Sequence, residues 1–289
     1  MLTTIPPLQR TPQRIVSLVP SLTEALFAFG LGSHIVGITD YCTEPQSQVG
    51  TKPTLGGTKN PDVEAILRLA PDLVVANVEE NRRGDVESLQ AHGISVFVCY
   101  PQTVVDAVAT LRALAQITGV EAQASPALAR LESAYEETRA LTTGRRKIRV
   151  FCAIWKHPWM TINRHTFIHD MLETCGGANV FADRERRFPL AADLGRLSEG
   201  ESAHVAGRDR RYPRVSLDEI AALLPEVILL PDEPYRFSAA DRVDFARFSG
   251  IPAVRDGRIY VIDGKHVCWY WSRLHESLRT LRELFTLET

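Results

Sequence analysis

The stretch Asp62-Val-Glu-Ala-Ile-Leu-Arg-Leu-Ala-Pro71-Asp-Leu-Val-Val75 recurs, with the same pattern, as Ser216-Leu-Asp-Glu-Ile-Ala-Ala-Leu-Leu-Pro225-Glu-Val-Ile-Leu229. Each copy begins with a residue whose side-chain oxygen accepts hydrogen bonds from the free amides of a first helical turn. Apolar residues follow at helical spacing, then proline and an acid, and then an apolar run typical of a buried parallel strand. The pattern therefore predicts one helix–turn–strand unit that occurs twice.

Strands alternate with helices around each copy, which indicates two α/β lobes, each with a parallel, Rossmann-like sheet. A stripe of apolar residues predicts a long helix that starts at Pro126, with Ser125 as its cap, and runs to Gly144. The predicted organisation is an N-terminal lobe (1–119), a connecting backbone helix (120–146) and a C-terminal lobe (147–289). A chain of this kind is expected to bind its ligand in the cleft between the lobes.

The bulk composition narrows the class of protein. The chain has 289 residues, of which 45% are hydrophobic, as is ordinary for a globular protein. Its formal charge of −2 gives no general attraction to nucleic acid or to anionic membranes. No apolar run is long enough to span a bilayer. The first residues lack the pattern of a secretory leader, so the chain as written is expected in the cytoplasm, or outside it if a leader was removed.

Several further motifs carry a resemblance to a known family: Ile15-Val-Ser-Leu-Val-Pro-Ser-Leu-Thr-Glu24, Ala70-Pro-Asp-Leu-Val74 and Met171-Leu-Glu-Thr-Cys-Gly-Gly-Ala-Asn-Val-Phe181. Together with the repeat and the connecting helix, they make residues 14–285 resemble the helical-backbone metal receptors. These are the substrate-binding proteins of ABC importers for cobalamin, haem and iron-siderophores. The likeness is strongest to the cobalamin-binding members, which implies a non-enzymatic protein that binds a metal chelate.

The resemblance also implies two docking positions for an ABC permease. Family members present one acidic residue on each lobe to arginines of the permease, and the matching residues here are Glu64 and Asp218. A second interpretation is open, because the helix dipole alone favours an acid in a first turn by about 0.3–1 kcal/mol.

Candidate ligand-binding residues come partly from the resemblance and partly from the chain's own loops. Tyr41 and Tyr212 match aromatic positions of the cobalamin-binding members, whereas Thr58 and Met160 replace aromatics there. Two loops after strands of the C-terminal lobe are rich in aromatic and imidazole side chains, and both lie where open α/β sheets place ligands. The residues predicted from these loops are Trp155, His157, Trp159, His266 and Trp269. Core packing, or a surface histidine with its own partner, is the alternative for each of them.

Ser21 opens a predicted capping box, Ser21-Leu-Thr-Glu24, at the start of a helix, where amide hydrogens would meet a polar ligand group. The segment Asp183 to Arg214 has little periodicity and is predicted as a loop near the cleft. Its arginines would hold propionate, phosphate or carboxylate groups, or would form a solvated surface. They are Arg184, Arg186, Arg187, Arg208, Arg210 and Arg211.

Two other functions stay open at this point. The first is a cytoplasmic corrinoid or haem carrier, or a sensor, without a permease. The second is a metal-dependent hydrolase that uses His165 and His169, which are four residues apart and face the same way on a helix. No phosphate loop or nucleophile motif supports an enzyme, and no catalytic cofactor is expected.

Overall fold

The computed structural model describes residues 8, 10–197, 207–271 and 273–286. The chain divides into two compact units. The first unit is Met1–Ser133 together with Tyr270–Leu274, and the second is Ala134–Trp269 together with His275–Thr289. A short segment near the carboxyl terminus thus belongs to the amino-terminal unit.

The strands of the first unit are β1 (Ile15–Ser17), β2 (Ile35–Ile38), β5 (Leu73–Asn77) and β6 (Val96–Cys99), with a small hairpin of β3 (Gly56–Gly57) and β4 (Asn60–Pro61). The four longer strands form one parallel sheet in the order β2-β1-β5-β6. The helices are α1 (Pro20–Ala28), α2 (Gln46–Val49), α3 (Val63–Arg68), α4 (Arg83–Ala91) and α5 (Val104–Thr118), with a 3-10 turn at Gly32–His34.

The second unit repeats this architecture with the strands β7 (Ile148–Cys152), β8 (Gly177–Asn179), β9 (Val227–Pro231) and β10 (Ile259–Ile262). They form a parallel sheet in the order β10-β9-β7-β8. Its helices are α7 (Phe167–Thr174), α8 (Leu190–Asp193), α9 (Leu217–Ala222), α10 (Pro252–Arg255), α11 (Lys265–Cys268) and α12 (Leu274–Leu284), with a 3-10 helix at Ala239–Phe245. The prediction of two α/β lobes with parallel sheets is confirmed.

The repeat folds as predicted in both units. The Asp62 carboxylate accepts from the amide of Ala65 at 2.9 Å, and the Ser216 hydroxyl accepts from the amide of Glu219 at 3.1 Å. The apolar runs that follow form β5 and β9, and every residue of both strands is buried. The same sequence signals therefore give the same local structure twice.

Two helix starts differ from the prediction. Helix α1 begins at Pro20 after Val19, so Ser21 lies inside the first turn and does not cap the helix. No side chain caps this helix, and the Thr23 hydroxyl donates to the Val19 carbonyl at 3.0 Å. The long helix α6 (Glu121–Thr142) starts before Ser125 and contains Pro126 in its interior, although proline has no amide hydrogen to give to the preceding turn.

Within the part of the chain that the structure describes, no helix has both the length and the apolar character needed to cross a bilayer. The boundary between the two units falls inside α6, which occupies 121–142 of the predicted connecting segment 120–146.

Candidate functional site

The carboxyl edge of the first sheet carries one strongly exposed aromatic residue. Tyr41 follows β2 and is 63% exposed. Its ring lies against the β3–β4 hairpin, since a Cβ atom added to Gly57 would lie only 3.3 Å from Tyr41 Cε2. Thr58 is in the same hairpin, and its carbonyl accepts from Asn81 Nδ2 at 3.0 Å. Of these candidates, Tyr41 presents an open ring face and Thr58 a half-buried side chain.

Ser21 is buried in the first unit, and its hydroxyl lies beside the phenol of Tyr270. The Tyr270 hydroxyl accepts a hydrogen bond from Asn77 Nδ2 at 2.7 Å. Burial, and next the neighbouring Cys99 and Glu80, raise the pKa of Tyr270 well above its usual range. These contacts place Ser21 in a buried polar cluster rather than on an open surface.

The loop after β7 carries the most prominent aromatic feature of the second unit. Trp155 is 44% exposed, and the other three tryptophans of the chain are buried. The loop closes as a short hairpin, because the amide of Met160 donates to the Trp155 carbonyl at 3.0 Å. Lys156 fixes its tip: its ammonium lies 2.6 Å from an Asp241 oxygen and 2.8 Å from an Asp244 oxygen.

Trp155 contacts an aromatic residue that the sequence reasoning missed. The edge of one ring meets the face of the other between Trp155 and Tyr235, at 5.4 Å between centroids and 71°. Tyr235 in turn packs on Phe237 at 4.6 Å. The available signal was its position, because Tyr235 follows β9 at the carboxyl edge of the sheet, as Trp155 follows β7.

Trp159 is part of the hydrophobic core. Its ring stacks on Phe237 at 5.5 Å with an interplanar angle of 15°, and it meets Phe245 at 5.3 Å. The Lys156 ammonium lies 5.7 Å from the same ring. Protein atoms therefore occupy the surroundings of Trp159, and we leave it out of the proposed ligand contacts.

Met160 and Tyr212 lie on neighbouring chain segments. Met160 pairs with Arg214 in an antiparallel bridge, and the amides of Thr161 and Asn163 donate to the carbonyls of Pro213 and Arg211. The side chains of Met160 and Tyr212 are half-buried, and the Arg211 guanidinium lies 5.2 Å from the Tyr212 ring. The structure thus brings two predicted residues of the second unit onto one short ladder.

The three remaining candidates from the loops differ in exposure. His157 is exposed, with a left-handed backbone at φ 63°. His266 Nδ1 lies 3.0 Å from the Ser277 hydroxyl on α12, which supports the alternative of a histidine with a partner in the protein. Trp269 is buried, with the Lys265 ammonium 5.4 Å from its ring. Only His157 among them has a side chain open to solvent.

The arginine-rich segment is organised around buried Asp193. This carboxylate accepts from the amides of Arg187 and Arg214 at 2.8 and 3.0 Å, and it lies 3.6 Å from the guanidinium of Arg184. Residues 198–206 lie outside the described part of the segment.

The other predicted anion-binding arginines also have contacts within the protein. Arg210 pairs with Glu185, Arg211 pairs with Asp209, and Arg186 and Arg208 lie 4.9 and 5.0 Å from the ring of Phe188. We therefore leave this group out of the proposed ligand contacts.

The two histidines considered for a hydrolase, His165 and His169, have different surroundings. His165 is exposed, whereas His169 lies 3.4 Å from the Asn179 amide, and burial lowers its pKa. Among the residues that the structure describes, no group of three or more histidine, cysteine, aspartate or glutamate side chains is placed to hold a metal ion.

Comparison with known proteins assigns the family. The model of a family described as periplasmic binding protein matches residues 15–265. The chain belongs to the periplasmic binding protein family. The vitamin B12-binding protein of Yersinia pestis (strain Pestoides F) is 28% identical over 222 residues, which cover 76% of this chain and 79% of the relative.

Solved structures of periplasmic binding proteins share the fold. The vitamin B12-binding protein BtuF of Vibrio cholerae matches with a TM-score of 0.75 and 19% identity, over 95% of this chain and 97% of that one. The heme-binding protein RhuT from Roseiflexus sp. RS-1 matches with a TM-score of 0.74 and 22% identity, over 94% and 97%. The names of the family and of these relatives describe binding proteins, not enzymes.

In this periplasmic binding protein, the two acidic residues singled out for docking occupy equivalent places. Glu64 and Asp218 are each the second residue of a six-residue helix, α3 and α9. Their side chains are 87% and 83% exposed, with an arginine at 3.8 Å from Glu64 and at 3.9 Å from Asp218. Each unit thus presents one carboxylate to solvent at the same point of the repeat.

Glu233, which follows β9, is a carboxyl group whose charge is disfavoured. Burial raises its pKa, the nearby charge of Lys265 lowers it, and the Cys268 thiol donates to it at 3.6 Å. A raised folded-state pKa stabilises the fold at pH below the unfolded value, and this contribution is lost as pH rises through the folded value. We therefore expect Glu233→Gln to raise Tm by roughly 2 °C at pH 8 and to leave it nearly unchanged at pH 4.

Differential scanning calorimetry at the two pH values measures this effect, with the exposed Glu87→Gln as control. An equal change in Tm at both pH values would contradict the assignment.

Proposed function

We propose that this chain binds a planar metal chelate, most specifically a corrinoid such as cobalamin, and delivers it to an ABC permease. The observation that carries the proposal is the pair Trp155 and Tyr235. In a unit whose other large aromatics are mostly buried, Trp155 stays 44% exposed at the carboxyl edge of the sheet and has an aromatic partner at 5.4 Å. The name of the vitamin B12-binding relative, 28% identical, supports the corrinoid.

Flat aromatic rings suit this ligand for a physical reason. A corrin or porphyrin presents large apolar faces, and aromatic side chains bury such faces at small conformational cost. Tyr41 offers a comparable exposed ring in the first unit, at 63%. In the second unit, the proposed ligand contacts are Trp155 and Tyr235, with His157 and Met160 in the same loop as Trp155. In the first unit, the proposed contact is Tyr41.

Delivery to a permease would use the exposed carboxylates of Glu64 and Asp218, which suit a basic partner surface. This function requires the protein on the outer side of the cytoplasmic membrane. A cytoplasmic carrier or sensor would bind the same chelate but would not depend on these two carboxylates.

Titration with hydroxocobalamin, and separately with haemin, tests the ligand. We expect the visible spectrum of hydroxocobalamin to change when it binds the protein. We also expect the bound ligand to quench tryptophan fluorescence, mainly that of Trp155. Trp155→Ala is expected to weaken binding by roughly thirtyfold, about 2 kcal/mol, as for an aromatic residue at the centre of an interface. Tyr235→Ala is expected to have a smaller effect in the same direction.

The control is Val243→Ala, which removes an apolar side chain of the same unit that is 70% exposed. Binding of haemin but not of hydroxocobalamin would reassign the chelate. No spectral or fluorescence response to either compound, or unchanged affinity in Trp155→Ala, would contradict the proposal.

A further inference from the structure

Each unit contains one arginine contact of the same kind, which neither the repeat pattern nor the proposed ligand site explains. In the first unit, Arg14 Nε and Nη2 both donate to the carbonyl of Leu69, at 3.1 and 2.7 Å. In the second unit, Arg149 Nε and Nη2 both donate to the carbonyl of Leu223, the first at 3.2 Å. We call this two-donor contact the arginine cap.

The capped residues are equivalent, because Leu69 and Leu223 each end the helix of the repeat, α3 or α9. The last carbonyls of a helix have no partner inside it, and a positive charge at this end is favoured by the helix dipole. Each arginine lies at the start of its strand: Arg14 precedes β1, and Arg149 is the second residue of β7.

The acid after each proline holds the same strand start. The Asp72 carboxylate accepts from the amides of Gln13 and Arg14, the latter at 2.7 Å. The Glu226 carboxylate accepts from the amide of Arg149 at 3.0 Å. The backbone contact is also repeated, since the amides of Asp72 and Glu226 donate to the carbonyls of Arg14 and Arg149 at 2.9 and 2.7 Å.

Helices as short as α3 and α9 depend on such external contacts. Each has six residues, which is too short to be stable alone in water. Each is held by its amino-terminal cap, by one fully buried isoleucine (Ile66 or Ile220) and by the arginine cap. The exposed acid, Glu64 or Asp218, lies five residues before the capped leucine.

We propose that Arg14 and Arg149 are positioning residues for permease docking. They fix the carboxyl ends of α3 and α9 to the sheet, so that Glu64 and Asp218 keep one orientation toward a basic partner surface. This inference rests on the proposed docking function. It adds that docking depends on two arginines that form no ion pair with the permease. Their guanidinium groups donate to helix carbonyls of this chain instead.

The test uses the full-length variant Arg14→Met with Arg149→Met. The matched control is Arg83→Met with Arg255→Met, which likewise removes one exposed arginine from each unit, but one that pairs with a carboxylate outside α3 and α9. Three quantities are measured: amide hydrogen exchange in α3 and α9, affinity for hydroxocobalamin, and affinity for the permease–ATPase complex of the chain's own host in nanodiscs. A Lys replacement at both positions tests whether one charged donor per helix suffices.

We expect faster exchange in both helices, unchanged hydroxocobalamin affinity and roughly tenfold weaker docking, which corresponds to about 1.4 kcal/mol. The Lys variant is expected to recover part of the docking affinity. Docking as tight as in the control variant would overturn the proposal, and so would unchanged exchange in α3 and α9. If the double variant does not fold, the two single variants are compared in the same way, each with the effect confined to its own helix.

Failure of the docking function itself gives a different result. In that case, removing the Glu64 and Asp218 charges leaves the permease affinity unchanged in the wild-type background. The arginine variants then still change exchange in α3 and α9 without any change in docking.

Discussion

Reversing both exposed charges of the repeat, Glu64→Arg with Asp218→Arg, is expected to abolish ligand uptake while hydroxocobalamin binding is retained. Both side chains are more than four-fifths exposed and their arginine neighbours are at 3.8 and 3.9 Å, so the fold loses little. The new cations oppose the helix dipole, at about 0.3–1 kcal/mol each. Against a basic permease surface, like charges weaken docking by at least a hundredfold, about 2.7 kcal/mol.

Permease affinity in nanodiscs and uptake in cells measure this loss, with calorimetry to confirm folding. The control is Glu87→Arg with Asp256→Arg, which makes the same charge change at exposed positions of the two units outside α3 and α9. Normal uptake in the Glu64 and Asp218 variant would remove the docking hypothesis and would favour a carrier without a permease.

Lys156→Met is expected to have the second large effect, on both stability and ligand affinity. The Lys156, Asp241 and Asp244 side chains are 11%, 13% and 25% exposed, so removal of the ammonium leaves two partly buried carboxylates uncompensated. Loss of one partner from a buried ion pair costs about 3 kcal/mol. Because Lys156 follows Trp155 directly, the loop that carries this ring is expected to loosen.

Chemical denaturation gives the loss of stability, and acrylamide quenching gives the exposure of Trp155. Adding Asp241→Asn and Asp244→Asn to the variant is expected to restore part of the stability, because the uncompensated charges disappear, but not the ligand affinity. The control is Lys147→Met, whose lysine pairs with Glu173 nearer the surface. Equal quenching of Trp155 in Lys156→Met and wild type would contradict a positioning role for Lys156.

The regular elements could be predicted from the sequence because their signals are local. Asp62 and Ser216 cap helices within three residues of themselves, and the strands β5 and β9 follow from continuous apolar runs. The start of α6 was predicted wrongly for the same reason. Pro126 is a strong local signal for a first helical position, but the helix continues back to Glu121.

The candidate site was predictable as a set of loops and not as a set of contacts. Trp155 and Trp159 are four residues apart in a segment without periodicity, and only the fold shows that one ring is 44% exposed and the other 8%. His266 finds its partner, Ser277, on a separate helix. Tyr235 was missed because its contact with Trp155 joins loops that follow different strands.

The arginine caps lie further beyond sequence reasoning. Arg14 and Leu69 are 55 residues apart, and Arg149 and Leu223 are 74 residues apart. Their equivalence becomes visible only after the two sheets are aligned, because each arginine lies at the start of a strand that is distant in sequence from the repeat. Tertiary contacts of single side chains at such separations leave no periodic trace.

The assignment of Tyr270–Leu274 to the first unit has a practical consequence for dissecting the chain. A fragment that ends at Ser133 would lack the Trp271 indole that packs on Phe29 at 4.7 Å, and the phenol that pairs with Asn77. It would also lack Arg273, whose guanidinium lies 3.1 Å from Glu44. Independent expression of the amino-terminal half therefore needs these residues supplied in trans as a peptide or fused through a linker.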